Sequence, residues 1–179
     1  MKEEILIAGF GGQGIMVAGK LLAYAGMLEN KYVTYFPSYG AEVRGGTANA
    51  TVIISDEEIP SPVSWHPDVL LALNLPSCHK FGPRLNKKGM LIANTTLINV
   101  LFKRRDLTII KIPATSMAHD LGSPRSANMI MLGAYLRRKK WLSLENMEKG
   151  LSLLFPGRKD LQAINKKALR LGCKAISIY

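Results

Sequence analysis

Ile5-Leu6-Ile7-Ala8-Gly9-Phe10-Gly11-Gly12-Gln13-Gly14 carries an apolar run straight into G-x-G-x-x-G, and a helical pattern follows. That order is the phosphate-cradling turn of a dinucleotide-binding βαβ unit. Glycine lets such a turn close and lets backbone N–H groups approach a diphosphate. The next helix adds its free N-terminal N–H groups and the positive end of its dipole. The candidate binding residues are therefore Gly9, Phe10, Gly11, Gly12, Gln13 and Gly14. Gly11, Gly12 and Gly14 are the backbone donors, and Gln13 adds a side-chain amide. The motif points to a phosphate without saying what molecule carries it.

A nicotinamide site adds an acidic residue at the end of the second strand, about 20 residues past the loop, to hold the ribose. Here the second strand, Tyr32-Val33-Thr34-Tyr35-Phe36, runs into Pro37-Ser38-Tyr39 with no Asp or Glu. The missing acid argues against a stand-alone NAD(P)- or flavin-binding dehydrogenase.

Periodicity predicts strands over 5–8, 32–36, 48–54, 69–73, 90–94 and 107–112. It predicts helices over 12–28, 76–81, 115–121, 124–136, 144–155 and 160–171, with Gly172 as a stop for the last. Alternating strands and helices give an α/β Rossmann-like layered domain, a mostly parallel sheet flanked by helices, with 1–179 as one domain. The first helix is apolar all round, with Lys20 its only charge between Ile15 and Met27. A helix on an exposed sheet face should show a polar stripe. Its outer side is covered either by a partner subunit, including a second copy of the chain, or by another part of this chain.

The net charge of +11 arises entirely after residue 90. Basic clusters such as Arg137-Arg138-Lys139-Lys140 suit either a solvated helix surface or attraction to a polyanion. No aromatic residues alternate with them and no recognition helix appears, which argues against a specific nucleic-acid partner. The start of the chain enters a strand directly, without a signal peptide, and no apolar run reaches membrane-spanning length. A cytoplasmic protein is expected. Cys78 and Cys173 stand alone, and His66, His79 and His119 lack ligand spacing, so no metal site is expected. No catalytic constellation is legible either. In Ser77-Cys78-His79, neighbouring side chains diverge. An anion cradle without chemistry of its own suggests a chain that positions something for a catalytic partner.

Three motifs in order carry a resemblance. They are residues 9–15, then Pro37-Ser38-Tyr39-Gly40-Ala41-Glu42-Val43-Arg44-Gly45-Gly46-Thr47-Ala48-Asn49, then Ser123-Pro124-Arg125-Ser126-Ala127-Asn128-Met129. From about Lys2 to Leu136 the chain resembles the gamma subunit of 2-oxoacid:ferredoxin oxidoreductases, most of all the 2-oxoglutarate branch. The resemblance implies a multisubunit enzyme that oxidatively decarboxylates a 2-oxoacid to an acyl-coenzyme A and passes electrons to ferredoxin. It implies thiamine diphosphate and iron–sulfur clusters on partner subunits, and a gamma chain that helps bind coenzyme A and hold the assembly together. The isolated chain would be inactive. Ala41 stands where the family pattern has proline. Coenzyme A carries a diphosphate and needs no ribose acid of the nicotinamide type. Arg44 either meets a phosphate or a carboxylate in a fork or pairs with Glu42 within its loop. Asn128 and Arg125 either line the same cleft or cap and solvate a helix end.

Overall fold

The structure, a computed structural model, describes residues 1–39, 47–100, 103–139 and 141–176. Six strands form one sheet: β1 (Lys2–Phe10), β2 (Tyr32–Tyr39), β3 (Thr47–Ser55), β4 (Val69–Ala72), β5 (Met90–Asn94) and β6 (Thr108–Ile112). Their order is β2-β3-β1-β4-β5-β6. β1, β4, β5 and β6 are mutually parallel, and β3 is antiparallel to both β1 and β2. Five strands therefore share one direction and β3 alone opposes them.

The α helices are α1 (Ile15–Leu28), α2 (Leu75–Phe81), α3 (Ala114–Asp120), α4 (Ala127–Arg138), α5 (Leu144–Leu154) and α6 (Lys159–Lys174). Alternation along the strands builds two cores. Ile5, Ile7, Val69, Leu71 and Ile92 face α1, α3, α4, α5 and α6. Leu6, Ala8, Leu70, Ala72 and Leu91 face the thinner layer made by α2, Phe81 and Leu85. Strands buried on both faces read as unbroken apolar runs, which is why β1 and β4 stand out in the sequence.

The apolar first helix has its outer side covered by α5 of the same chain. Gly150 of α5 sits against Leu21 and Tyr24 of α1. Ser143 N–H donates to Glu29 Oε1 at 2.8 Å and Asn146 Nδ2 to the Leu28 carbonyl at 3.3 Å, fixing the start of α5 on the end of α1.

Two expectations change. The segment 124–136 is not one helix: a 3-10 turn over Pro124–Ser126 leads into α4. Gly172 does not stop α6, which continues to Lys174. A Cβ on Gly172 would lie 2.0 Å from the Ile130 oxygen, and one on Gly133 would lie 2.1 Å from the Leu169 oxygen. These glycines are where α4 and α6 cross in backbone contact.

Ser77, Cys78 and His79 do diverge. Ser77 Oγ is buried without a partner among the described residues, Cys78 packs in the thin-side core, and His79 is exposed and reaches the Val100 carbonyl. Burial pushes the Cys78 thiol from its ordinary 9.0 to about 11. Its stabilising contribution is complete below the ordinary value and is lost as pH rises through about 11. A thiol reagent at pH 8 should modify native Cys78 at least about a hundredfold more slowly than unfolded chain, from the thiolate fraction alone. Equal rates, read by peptide mass spectrometry, would contradict its placement.

Candidate functional site

β1 ends at Phe10, and residues 11–14 turn the chain into α1. Two of these residues have left-handed backbone, Gly12 at φ 91° and Gly14 at φ 73°. A side chain on Gly12 would find open space, so its requirement is the backbone conformation and not room.

Gln13 folds the turn back on itself. Its N–H donates to the Phe10 carbonyl at 3.2 Å, and its Oε1 accepts from Phe10 N–H at 2.7 Å and from Asn74 Nδ2 at 3.0 Å. Because a backbone N–H can only donate, the network assigns the oxygen to this inward position. The Nε2 is left as the outward group.

Asn128, 3% exposed, donates from Nδ2 to the Gly14 carbonyl at 2.9 Å. Its Oδ1 accepts from Met129 N–H at 2.9 Å. Both of its polar atoms are thus engaged in tying the glycine turn to the start of α4. Left without acceptors among the described residues are the N–H groups of Gly11, Gly12, Gly14, Ile15, Met16 and Val17. They crown the N-terminus of a helix of 14 residues, the arrangement that receives anions.

Three hollows meet at Gly12. One of about 580 Å³ opens between Gly12, Gly14, the turn 122–126, Phe155, Leu161 and Asn165. Another of about 300 Å³ runs over Phe10, Gly11 and Met16 towards Tyr39 and Ala48. A third of about 180 Å³ lies by Gln13, Leu73, Leu97, Thr115 and Arg125. All lie at the carboxyl end of the parallel strands, where connections leave β1 and β4 for opposite faces of the sheet, the place where open α/β sheets bind ligands.

The structure brings Gly9, Phe10, Gly11, Gly12, Gln13, Gly14, Asn128 and Arg125 to this end of the sheet. Arg44 and Glu42 lie outside the described residues. β2 is not beside β1, because β3 intervenes. The ribose test therefore fails on topology as well as on residue type: Tyr39 and Ala48 stand beside the loop.

Three residues escaped the sequence reading. Asn74 caps α2 through Ser77 N–H at 2.9 Å while bonding Gln13. Asparagine shortly before Pro76 is a legible cap pattern. Ser126 stands within the third motif but no role for it is legible there, and Asn165, 39 residues further on, leaves no local trace; the two are buried and joined at 3.1 Å.

Among the described residues no group of three or more His, Cys, Asp or Glu side chains comes together as a metal site. Cys78 and Cys173 belong to cores on opposite faces of the sheet, so the two cannot share a cluster. No helix among the described residues is long and apolar enough to cross a membrane.

Residues 4–175 match the protein family described as pyruvate ferredoxin/flavodoxin oxidoreductase. The 2-oxoglutarate synthase subunit KorC of Methanocaldococcus jannaschii is 38% identical over 154 residues, covering 84% of this chain and 82% of KorC. The ketoisovalerate oxidoreductase subunit VorA of Methanothermobacter marburgensis is 36% identical over 170 residues and 94% of this chain, which spans only 35% of VorA's length. Among solved structures, the keto/oxoacid ferredoxin oxidoreductase gamma subunit of Geobacter sulfurreducens superposes with a TM-score of 0.83 at 30% identity, with 96% of each chain covered. The 2-oxoglutarate:ferredoxin oxidoreductase of Magnetococcus marinus, solved with 2-oxoglutarate, coenzyme A and succinyl-CoA bound, gives a TM-score of 0.88 at 26% identity over 98% of this chain and 32% of that one. With nearly its whole described length matched, the chain belongs to the pyruvate ferredoxin/flavodoxin oxidoreductase family and corresponds to its gamma-subunit type.

Proposed function

We propose that this chain is the coenzyme A-holding subunit of a 2-oxoacid:ferredoxin oxidoreductase, and that the glycine turn cradles the diphosphate of that coenzyme. The supporting observation is the set of N–H groups of Gly11, Gly12, Gly14, Ile15, Met16 and Val17, without acceptors among the described residues, at the junction of three hollows. Backbone donors and a helix N-terminus suit a diphosphate and require no acidic ribose partner. Gln13 and Asn128 act by holding the turn: one closes it, the other anchors it to α4. The outward Gln13 Nε2 and, beyond the described residues, Arg44 complete the proposed contacts.

In this reading the decarboxylation and the electron transfer belong to partner subunits. Thiamine diphosphate and iron–sulfur clusters, carried there, supply carbanion stabilisation and electron conduction. This chain contributes binding, orientation and assembly contacts. Ferredoxin is the acceptor of the complex, and the compartment is the cytoplasm. We favour 2-oxoglutarate as the 2-oxoacid, on the strength of the KorC likeness. The VorA likeness makes a branched 2-oxoacid the first competitor, and turnover of the purified complex with each acid decides between them.

Gly12→Val tests the cradle. Valine is strained at φ 91° and its methyls screen the neighbouring N–H groups. Coenzyme A affinity of the complex, measured calorimetrically, should fall at least about tenfold, the equivalent of roughly 1.4 kcal/mol. Arg44→Ala should also weaken it. Unchanged affinity in both variants would remove the cradle from this loop. A purification from native cells that brings down no thiamine-dependent partner would defeat the subunit reading.

A further inference from the structure

β2 is an edge strand without the usual guards. Its outer side is unpaired among the described residues over the eight residues Tyr32–Tyr39. Natural edges are blunted by charges, bulges, prolines or a covering loop, because open N–H and C=O groups recruit other strands. No Asp, Glu, Lys or Arg stands between Tyr32 and Tyr39, and Pro37 is the only proline there. Tyr32, Phe36 and Tyr39 are exposed. In a chain of net charge +11, this edge is a neutral aromatic strip.

The register fixes which backbone groups are open. Asp56 N–H donates to the Met1 carbonyl at 2.9 Å, so residue 56 faces β1 and its neighbour Ser55 faces β2. By alternation Ser55, Ile53 and Thr51 exchange hydrogen bonds with their β2 partners Tyr32, Thr34 and Phe36. The N–H and C=O groups of Val33 and Tyr35 therefore point outward. So does the nitrogen of Pro37, which has no hydrogen to offer. Lys31, the preceding outward position, already gives its N–H to the Gly26 carbonyl at 3.1 Å. From Lys31 to Pro37 the open donors are thus Val33 and Tyr35, placed evenly about Thr34. Thr34 Oγ1 is itself buried without a partner among the described residues.

We propose that this edge pairs with β2 of a second copy of the chain, antiparallel, with the two-fold axis at Thr34. Val33 of each copy then exchanges backbone hydrogen bonds with Tyr35 of the other. Lys31 falls opposite Pro37, so the ladder ends where neither residue has a free N–H. Tyr32 falls opposite Phe36, an aromatic pair repeated by the symmetry. Thr34 meets Thr34 in a non-hydrogen-bonded pair, where side chains stand closest, and rotation about χ1 brings the two hydroxyls together. A centre one residue away sets Tyr32 or Phe36 against Thr34 and breaks both aromatic pairs. The strip suits a second copy because two chains of the same strong positive charge can meet along it with no like charges opposed.

Sedimentation equilibrium of the isolated full chain tests the pairing and should give a dimer. Thr34→Lys and Thr34→Glu each set like charges face to face and should raise the dissociation constant at least about a hundredfold. An equimolar mixture of the two variants sets opposite charges together and should return to within about tenfold of wild type. Residue-resolved amide exchange on the wild type needs no substitution. Val33 and Tyr35 should be protected in the dimer and lose that protection on dilution, while Thr34 and Phe36, bonded to β3, keep theirs. A monomeric wild type, or free exchange at Val33 and Tyr35 in a dimer, overturns the proposal. Variants that dimerise as wild type does, or a mixture that fails to recover, overturn the centre at Thr34. Protection of Val33 and Tyr35 that appears only in the purified complex would give this edge to another subunit and overturn the second copy as its occupant.

Discussion

Gly172→Ala should lower the melting temperature by about 6–12 °C, a loss of roughly 3 kcal/mol in a chain of this size. In an exposed helix interior the same change stabilises by about 1 kcal/mol, because alanine is the better helix former. The sign reverses here because the new methyl would lie 2.0 Å from the Ile130 carbonyl oxygen. That oxygen is backbone and cannot rotate away, so α4 and α6 must separate. Separation loosens Ile130, Ala134, Ala168 and Leu169, all buried along the crossing. Gly133→Ala meets the Leu169 oxygen at 2.1 Å and should cost a similar amount. The double variant should cost less than the sum, since both methyls widen one gap. Thermal unfolding followed by circular dichroism reads all three, and a rise in melting temperature for either single variant would refute the close crossing. The effect reaches the candidate site, because Asn165 stands seven residues from Gly172, on the same face of α6. A spread crossing shifts Asn165 relative to Ser126 and opens the cavity between them.

The glycine turn was legible because each of its requirements is local: an apolar strand, a left-handed backbone at Gly12, a helix start. The strands were legible for the same reason. Their order was not. β2 and β3 are consecutive and antiparallel, yet β3 lies inside and β2 at the edge. The physical reason is visible afterwards in the residues. Pro37 has no N–H for a second neighbour, which suits an edge strand. Tyr32, Phe36 and Tyr39 of β2 are exposed, while the Ala50–Ile54 portion of β3 is buried. The direction in which a polar side chain turns was equally hidden. Gln13 and Asn128 stand out in the sequence as polar groups beside an anion cradle. The structure spends Gln13 Oε1 and both polar atoms of Asn128 on holding the turn. Contacts that join distant stretches, such as Ser126 with Asn165, have no sequence pattern at all.

Glu3 is the other long-range contact with a large consequence. Its carboxylate is buried at the opposite end of the sheet from the glycine turn. It accepts from the Tyr135 hydroxyl at 2.5 Å and from Trp141 Nε1 at 3.2 Å, and it pairs with Lys139. The cluster ties the start of β1 to the end of α4. Glu3→Ala should cost about 3 kcal/mol, the lower part of the range for breaking a buried pair, because Lys139 is partly exposed and can turn to water. Tyr135 is fully buried and cannot, so its hydroxyl is left without an acceptor. Glu3→Gln keeps an acceptor for Tyr135 and should cost only about 1–2 kcal/mol. The same cluster sets an alkaline limit. Burial first, then the Glu3 charge and its hydrogen bond, hold the Tyr135 phenol well above its ordinary 10.0. A raised phenol contributes stability that is complete below the ordinary value and is lost as pH rises through the folded one. Tyr135→Phe should therefore flatten the fall in stability above pH 10. An unchanged alkaline profile would contradict this role for Tyr135, and a Glu3→Ala protein melting with wild type at neutral pH would show that this carboxylate does not hold α4 against β1.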